Sequence, residues 1–523
     1  MSTQDKPLSK RSVVSSLIFK FPETGDGKPV VALFRRSEKV NTYRHHLAPI
    51  SGSIDKTDPS PLSAAWREIK EETTLTPESL VLFRQGKPFT FSDPSIGREW
   101  TVHPFGFRLK TNGEGGTGEE GIQIDWEHEG WEWHDPNTVI DSKEFGGVPR
   151  LKESLSRVWF ETDMGERAGN VLADGLDKLK NDHERGAREL AAIALSIFRK
   201  VIAEMRSDVD PERWWELVRI AGWHLWKNGR ESMGAAIVNV IVSALTSIEP
   251  IISENSVHPA GKKDKILAVI DEIAEKRKST GVAVSDAVAS YLKTNFASKR
   301  DTSTVKILTL SSSSTIRSAI LHVASIPDIK RIELNVLESR PLCEGVSIAS
   351  AIQLKYEPGS AQLKTTLYTD ASAALAAKDV DVLVLGADRI ASSGDVSNKT
   401  GSLPAVLSAK YVNPVVKVVV LSELEKVAEP GSVTEHVVEE NEPTEVISSW
   451  KADGVKGFDV IEGQLRKGNG DNAALSVKNI YFEWVPADFI DSYICEEGSW
   501  NTSHIKERSA WVGEQIDRLF GAV

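Results

Sequence analysis

Cysteine is almost missing from this chain: Cys343 and Cys495 are the only two in 523 residues. Two such distant thiols give neither a disulfide framework nor the paired spacing of a structural zinc site, so a reducing, cytoplasmic compartment is expected. Apolar runs are scarce as well. None reads as long enough to span a bilayer, and the opening Met-Ser-Thr-Gln-Asp-Lys-Pro lacks the apolar stretch of a signal peptide. No membrane partner is expected. Basic charge is in deficit, 63 Lys and Arg against 75 Asp and Glu, for a net charge of −12. A general nucleic-acid binder would carry a basic footprint, so no direct nucleic-acid contact is expected, while local cationic sites for small phosphates remain compatible. What the chain does have is length, and 523 residues suggest three folding units.

The most informative run is Ala64-Ala65-Trp66-Arg67-Glu68-Ile69-Lys70-Glu71-Glu72-Thr73-Thr74-Leu75. On a helix Glu68 and Glu72 stand at i and i+4, and Glu68 and Glu71 at i and i+3, so three carboxylates can converge on one side. Like charges at that spacing repel, and a hard divalent cation taking oxygen ligands would compensate them. The alternative on spacing alone is a solvated acidic face with Arg67 as an intrahelical partner. Upstream lie the alternating strand Val30–Phe34 and the loop Pro49-Ile50-Ser51-Gly52-Ser53-Ile54-Asp55.

The order strand, glycine loop, acidic helix resembles the Nudix hydrolases. Their box runs Gly, five residues, Glu, seven residues, then Arg-Glu-x-x-Glu-Glu-x-Gly. The resemblance implies a divalent metal, Mg²⁺ or Mn²⁺, on Glu68, Glu71 and Glu72, with Arg67 orienting them and a diphosphate compound cleaved. Gly52 would let the backbone turn beside the metal. This sequence departs from the box at three places: Pro59 (next to Asp58) stands for the first glutamate, Ser53 for the first glycine and Thr74 for the last.

Residues 8–155 read as this α+β domain, a mixed sheet between helices. Val13–Phe19, Val30–Phe34 and Trp100–Leu109 are strand-like, and Asp125–His134 alternates apolar and charged residues as a half-buried strand does. Glu127 or Glu129 there is a possible further acid, against the reading of an edge strand with charges outward. Asn112–Gly121 reads as a surface loop, and Arg35, Arg36 and Arg44 are candidates for substrate phosphate.

Residues 163–300 switch to helical periodicity. Leu176 to Met205 is interrupted by Gly186, and Asp210-Pro211 suits a helix start. Trp214, Trp215, Trp223 and Trp226 read as helix-packing surface. Leu267–Ile273 and Val282–Leu292 complete a bundle, with Asn255–Lys265 as a loop. Residues 303–523 alternate strand and helix. Val305–Leu308, Arg331–Val336, Val380–Leu385 and Val415–Leu421 are the apolar runs of buried parallel strands, hence an α/β doubly wound sheet.

Ligands bind beyond the carboxyl ends of such strands, and the residues there are polar. Leu310-Ser311-Ser312-Ser313 follows the first strand and can offer hydroxyls and N–H groups to a phosphate. Glu338-Ser339-Arg340-Pro341 follows the second, with Arg340 suited to grip a phosphate. Gly386-Ala387-Asp388-Arg389-Ile390 and Asn398-Lys399-Thr400-Gly401 follow the third.

With Arg230-Glu231-Ser232-Met233 upstream and Tyr481-Phe482-Glu483-Trp484-Val485-Pro486 late in the chain, these motifs resemble a second family. It is shared by the regulatory subunits of translation initiation factor 2B, methylthioribose-1-phosphate isomerase and ribose-1,5-bisphosphate isomerase. The resemblance implies a phosphate pocket involving Arg230, Ser312, Ser313, Arg340, Asn398 and Lys399, and a dimer. The isomerases use a cysteine and the aspartate of Gly-Ala-Asp. Asp388 is present, but Ser311 aligns with the cysteine, and a serine hydroxyl is a far poorer acid or base near neutral pH than a thiol. Cys343, in the loop after Arg340-Pro341, reads as a small buried cysteine.

Three functions stay open: a Mg²⁺-dependent pyrophosphohydrolase with a domain binding small phosphorylated metabolites, a sugar-phosphate isomerase, and a non-catalytic subunit with translation-factor partners.

Overall fold

Alternation along a strand sends successive side chains to opposite faces, and the first sheet uses both. The computed structural model describes residues 8–22, 27–206, 208–253, 259–296, 304–357, 362–435, 439–465 and 475–521. Strands β1 (Ser9–Lys20), β2 (Val30–Arg36), β3 (Leu47–Ala48), β4 (Leu80–Gln85), β5 (Phe89–Asp93), β6 (Arg98–Leu109) and β7 (His128–His134) form one mixed sheet. β1 and β6 run parallel, and the other pairings are antiparallel. Val14 and Ile18 face Ala64, Ala65 and Ile69 of helix α1 (Pro61–Thr73). Leu17 and Phe19 face the other way, onto Trp159 and helix α2 (Leu151–Ser156).

The sequence defines α1 at both ends. Ser60 accepts a hydrogen bond from the Ser63 N–H, and Pro61 occupies the first turn, where its missing N–H is no loss. The helix stops at Thr74 in the left-handed region, φ 63°. This is where the box has its late glycine, and a β-branched residue is strained there.

The helical part comprises α3 (Glu161–Met164), α4 (Glu166–Lys180), α5 (Ala187–Glu204), α6 (Pro211–Lys227), α7 (Gly234–Ser253) and α8 (Lys263–Asn295). Asp210 caps α6, and Trp214, Trp223 and Trp226 lie in the helical core. Two expectations are corrected. Leu267–Ile273 and Val282–Leu292 belong to one continuous 33-residue helix, α8, because no proline stands between them and the single Gly281 weakens a helix without ending it. The expected loop Asn255–Lys265 falls partly outside the described residues, and from Lys263 onward it is α8. Contrary to the reading of short apolar runs, Glu231–Ser253 is long and apolar enough to cross a membrane, although it is mostly buried in the bundle.

The last part is built on β8 (Thr304–Thr309), α9 (Ser314–Ser325), β9 (Arg331–Leu337), α10 (Glu344–Lys355), β10 (Gln362–Tyr368), α11 (Ala373–Ala376) and β11 (Val382–Leu385). It continues through β12 (Arg389–Ile390), β13 (Val396–Lys399), α12 (Ser402–Val412), β14 (Lys417–Leu421), α13 (Pro443–Ala452) and α14 (Phe458–Leu465). β15 (Phe482–Val485), β16 (Ser492–Cys495), β17 (Gly498–Trp500) and α15 (Thr502–Phe520) complete it.

The main sheet has the order β10-β9-β8-β11-β14-β16-β17, parallel except at β17. Separate cores cover its two faces, one including α8, α9 and α10, the other α11 and α12. The four expected strands are present. β10 escaped notice because Gln362–Tyr368 is a half-exposed edge with no apolar run. The strand order reverses between β8 and β11, which opens a crevice at their carboxyl ends. β12, β13 and β15 make a small antiparallel sheet beside it.

Candidate functional sites

Arg67 organises the first site. Its Nε and Nη2 donate to the two oxygens of Asp58 at 3.1 and 2.9 Å, and Nη2 also reaches the Ser53 carbonyl at 3.0 Å. Nη1 donates to Glu68 at 2.7 Å and to Glu71 at 3.2 Å. A bidentate guanidinium–carboxylate pair fixes direction as well as charge. In space, therefore, Asp58 supplies Arg67 with the carboxylate that is missing at Pro59.

Gly52 serves by close approach. A Cβ there would lie 2.0 Å from both Cδ and Oε1 of Glu68. Its φ is not positive, so room for the carboxylate, and no unusual turn, is what this glycine provides.

Glu72 is 3% exposed and shares a 2.6 Å hydrogen bond with His128 Nε2. Burial, then the charges of Glu127, Glu68 and Asp125, push its pKa up to about 9. Burial pushes His128 down to about 4, so the pair is neutral at pH 7. Glu68 is raised too, by burial and by Glu71 and Glu127, against the pull of Arg67.

The three glutamates of the expected metal set have different partners. Glu68 and Glu71 meet at Arg67 Nη1 while Glu72 turns to His128, and no group of three acidic, His or Cys side chains poised for a metal occurs among the described residues. The chemistry still fits a hard divalent ion. Burial raises Glu68 and Glu72, Glu127 raises both further and Glu68 adds to Glu72, the mark of oxygen ligands short of positive charge.

The neighbouring candidates separate cleanly. Glu127 belongs to this cluster, whereas Glu129 pairs with His45 at 2.9 Å. Arg35 is taken by Glu132 and Arg44 by Glu38. Arg36 holds the Thr42 carbonyl through Nε and lines a cavity of about 400 Å³ with Gly52, Ser53, Tyr43, Trp126 and Glu127.

The second site lies at the crevice between β8 and β11. Ser311 follows β8 at φ 66°, its N–H donating to Ser339 Oγ at 2.7 Å and its Oγ to Glu344 Oε2 at 3.1 Å. Lys399 Nζ sits 3.1 Å from Glu344 Oε1 and 4.0 Å above the Tyr481 ring. Ser313 caps α9, accepting from the Ile316 N–H, and Ser312 is exposed beside it. Asn398 donates to Ser402 at 2.8 Å, and its Oδ1 borders Gly386.

Asp388 stands among charges. Burial raises its pKa, Lys426, Lys399 and Arg230 lower it, and Glu344 raises it. Each of those cations has its own carboxylate: Lys426 has Glu423 at 3.2 Å, Arg230 has Glu439 at 2.6 Å, and Lys399 has Glu344.

Arg340 is directed elsewhere. Its guanidinium reaches Ser449 and Asp453 on or beside α13, while the Ser339 and Arg340 N–H groups bind Asp370. Cys343 is half-buried at φ 54°, immediately before Glu344.

Sequence reasoning missed His128, Glu344, Glu423, Lys426 and Glu439. Ser422-Glu423 and Lys426 follow the fourth strand, so the strand-end rule applies to them as it does to Asp388. Glu439 and His128 carry no signal in sequence, since contacts across the fold alone bring them in.

Curated relatives of this chain include methylthioribose-1-phosphate isomerases. The Vitis vinifera enzyme is 29% identical over 271 residues, covering 49% of this chain and 65% of that protein. The Natranaerobius thermophilus enzyme is 35% identical over 172 residues, covering 32% of this chain and 43% of that protein. This chain thus spans less than two thirds of their length.

Among solved structures, the Pyrococcus horikoshii OT3 translation initiation factor eIF-2B aligns with TM-score 0.44 and 18% identity, covering 63% of this chain and 96% of that one. The eIF2B beta of Chaetomium thermophilum gives 0.45 and 16%, covering 68% and 96%. A NUDIX domain model matches residues 12–158, and the model of the initiation factor 2 subunit family matches 183–502, more than half of the sequence. The chain therefore belongs to the initiation factor 2 subunit family and carries a NUDIX domain ahead of that region.

Proposed function

We propose that residues 8–155 form a Mg²⁺- or Mn²⁺-dependent hydrolase of a nucleoside- or sugar-diphosphate compound. Residues 163–300 and 303–523 then form the helical and sheet parts of a domain that binds a phosphorylated metabolite. The observation that carries the first reading is the Arg67 clamp: Asp58, Ser53 and Glu68 fix one guanidinium while Glu68 packs on Gly52, beside a cavity large enough for a small ligand.

In this reading Glu68 and Glu72 hold the metal, with Glu71 and Glu127 at its margin. Bound there, a divalent ion supplies charge neutralisation at the diphosphate and a more acidic water. Arg67 holds Glu68 in place, Gly52 leaves it room, and Arg36 presents a cation to the diphosphate from the cavity wall. Glu72 keeps the proton of the pair, donating it to His128 Nε2, until a bound cation favours its ionised form.

The protein would work in the cytoplasm, as a homodimer built through the sheet domain, with small phosphorylated metabolites as its partners. Translation factors are the alternative partners. The test is hydrolysis of a panel of nucleoside- and sugar-diphosphate compounds with Mg²⁺ or Mn²⁺. Activity should stop with a chelator and be abolished in Glu72→Gln without loss of folding. No cleavage of any compound in the panel would defeat the reading.

A further inference from the structure

The first domain and the helical bundle meet along a hydrogen-bonded seam. The Gln85 N–H donates to Asn228 Oδ1 at 2.7 Å, and Asn228 Nδ2 donates back to the Gln85 carbonyl at 2.9 Å. Gln85 Nε2 reaches the Lys227 carbonyl at 2.8 Å, and Arg84 grips both oxygens of Glu161. In the same interface a cavity of about 420 Å³ opens between α2 and α6, with walls from both parts.

Those walls differ in kind. Arg150, Lys152 and Arg157, on or next to α2, and Arg213 on α6 bring four cations to it. Phe160, Leu217 and Ile220 give it an apolar side. Three carboxylates line it too, and each is engaged. Glu153 accepts from Arg150 at 3.3 Å and from Arg157 at 3.1 Å. Asp163 pairs with Arg213, and Asp141 accepts the Lys152 N–H at 3.2 Å.

Positive charge is left over. Lys152 is exposed, and its ammonium has no partner among the described residues. Arg157 is 7% exposed, yet its Nη1 has no hydrogen-bond partner there either. A buried donor on a charged group is costly to leave unmet. Lys87 adds to the crowding: burial, then Arg157 and Arg219, pull its pKa down to about 8, against Glu216. In a chain of net charge −12 this is a local surplus of cations, and a concave surface of one sign concentrates ions of the other.

Guanidinium forks match phosphate oxygens, and an apolar wall beside a few polar groups suits a small organic ligand. We infer that this cavity is a third ligand site, taking a small phosphorylated organic metabolite. Its phosphate meets Lys152, Arg157 and Arg213, and its carbon body lies against Leu217 and Ile220. Arg150 also borders the cavity beside Gly52, so α2 divides the two. The inference depends neither on the hydrolase reading nor on the crevice between β8 and β11.

The test is titration calorimetry on the full chain carrying Arg36→Ala and Lys399→Ala, which removes a cation from each of the other two sites. The probes are ribose 5-phosphate, adenosine 5′-monophosphate and inorganic phosphate. At least one organic phosphate should bind saturably, one molecule per chain, and about tenfold or more tighter than inorganic phosphate, since it also buries apolar surface. Adding Lys152→Glu or Arg213→Gln should each lower that affinity by about 10–100-fold. Lys152 is exposed, so Lys152→Glu should keep the parent melting temperature even where Arg213→Gln, which frees Asp163, does not.

No saturable binding of either organic phosphate, or unchanged affinity in Lys152→Glu, overturns the inference. Inorganic phosphate binding as tightly as both organic probes overturns the metabolite and leaves only a patch of charge.

Discussion

Replacing Gly52 by alanine separates the catalytic reading of the first site from its folding. The new Cβ would fall 2.0 Å from Glu68 Cδ and Oε1 and 2.3 Å from Oε2, far inside van der Waals contact. The backbone at Gly52 is not in the left-handed region, so the main chain tolerates alanine, and the strain must be relieved by Glu68. Its carboxylate is the end of a flexible side chain and can swing aside. The fold then loses the charge-assisted bond from Arg67 Nη1 at 2.7 Å. Such bonds to charged groups are worth about 1.5–3 kcal/mol when well shielded, and this one is partly shielded, so a loss of about 1–2 kcal/mol follows.

For a domain of this size that is a fall of about 2–8 °C in melting temperature. Diphosphate hydrolysis should fall much further, by about 10²-fold or more, since a misplacement of an ångström in a positioned group has that effect. Gly130→Ala is the matched control, because a Cβ there meets nothing within 4 Å. Calorimetry and initial rates on both variants decide the matter. Hydrolysis by Gly52→Ala at the wild-type rate would refute the role given to Glu68.

Other perturbations test other parts. Arg84 is buried, paired with Glu161 at 2.8 Å and stacked on Phe83 and Phe160, so Arg84→Ala strands a buried carboxylate. It should cost about 3–5 kcal/mol, read as a shifted denaturant midpoint. Asp58→Asn should loosen Arg67 and lower hydrolysis by about 10–100-fold, as loss of an outer partner does, with kcat moving more than KM. Burial raises Glu496 from 4.5 to about 6. The folded state therefore binds its proton more tightly than the unfolded state, and stability falls by about 2 kcal/mol as pH rises from 4.5 to above 6. Glu496→Gln should flatten that slope in urea titrations taken across the pH range.

Much of the architecture was legible in the amino-acid sequence because it rests on local rules. The alternation in Val13–Phe19 and Val30–Phe34, the Ser60-Pro61 start of α1, the Asp210-Pro211 start of α6 and the apolar runs of the parallel strands each act within a few residues. The helical spacing of Glu68, Glu71 and Glu72 was readable for the same reason. Edge strand β10 and the strands of the small sheet were not, since their residues are polar or few, and pairing alone makes them strands.

The sites divide along the same line. Sequence alone determined which chemistry is present: carboxylates and an arginine on α1, and hydroxyls, Asp388 and Lys399 at consecutive strand ends. Only the tertiary structure decided which charges meet. It put Asp58 on Arg67, His128 on Glu72, Asp453 on Arg340, and Glu344 between Ser311 and Lys399. Charge pairing acts over a few ångströms in space and is indifferent to separation along the chain. Partners such as Arg230 and Glu439, 209 residues apart, therefore become visible only when the fold closes around them.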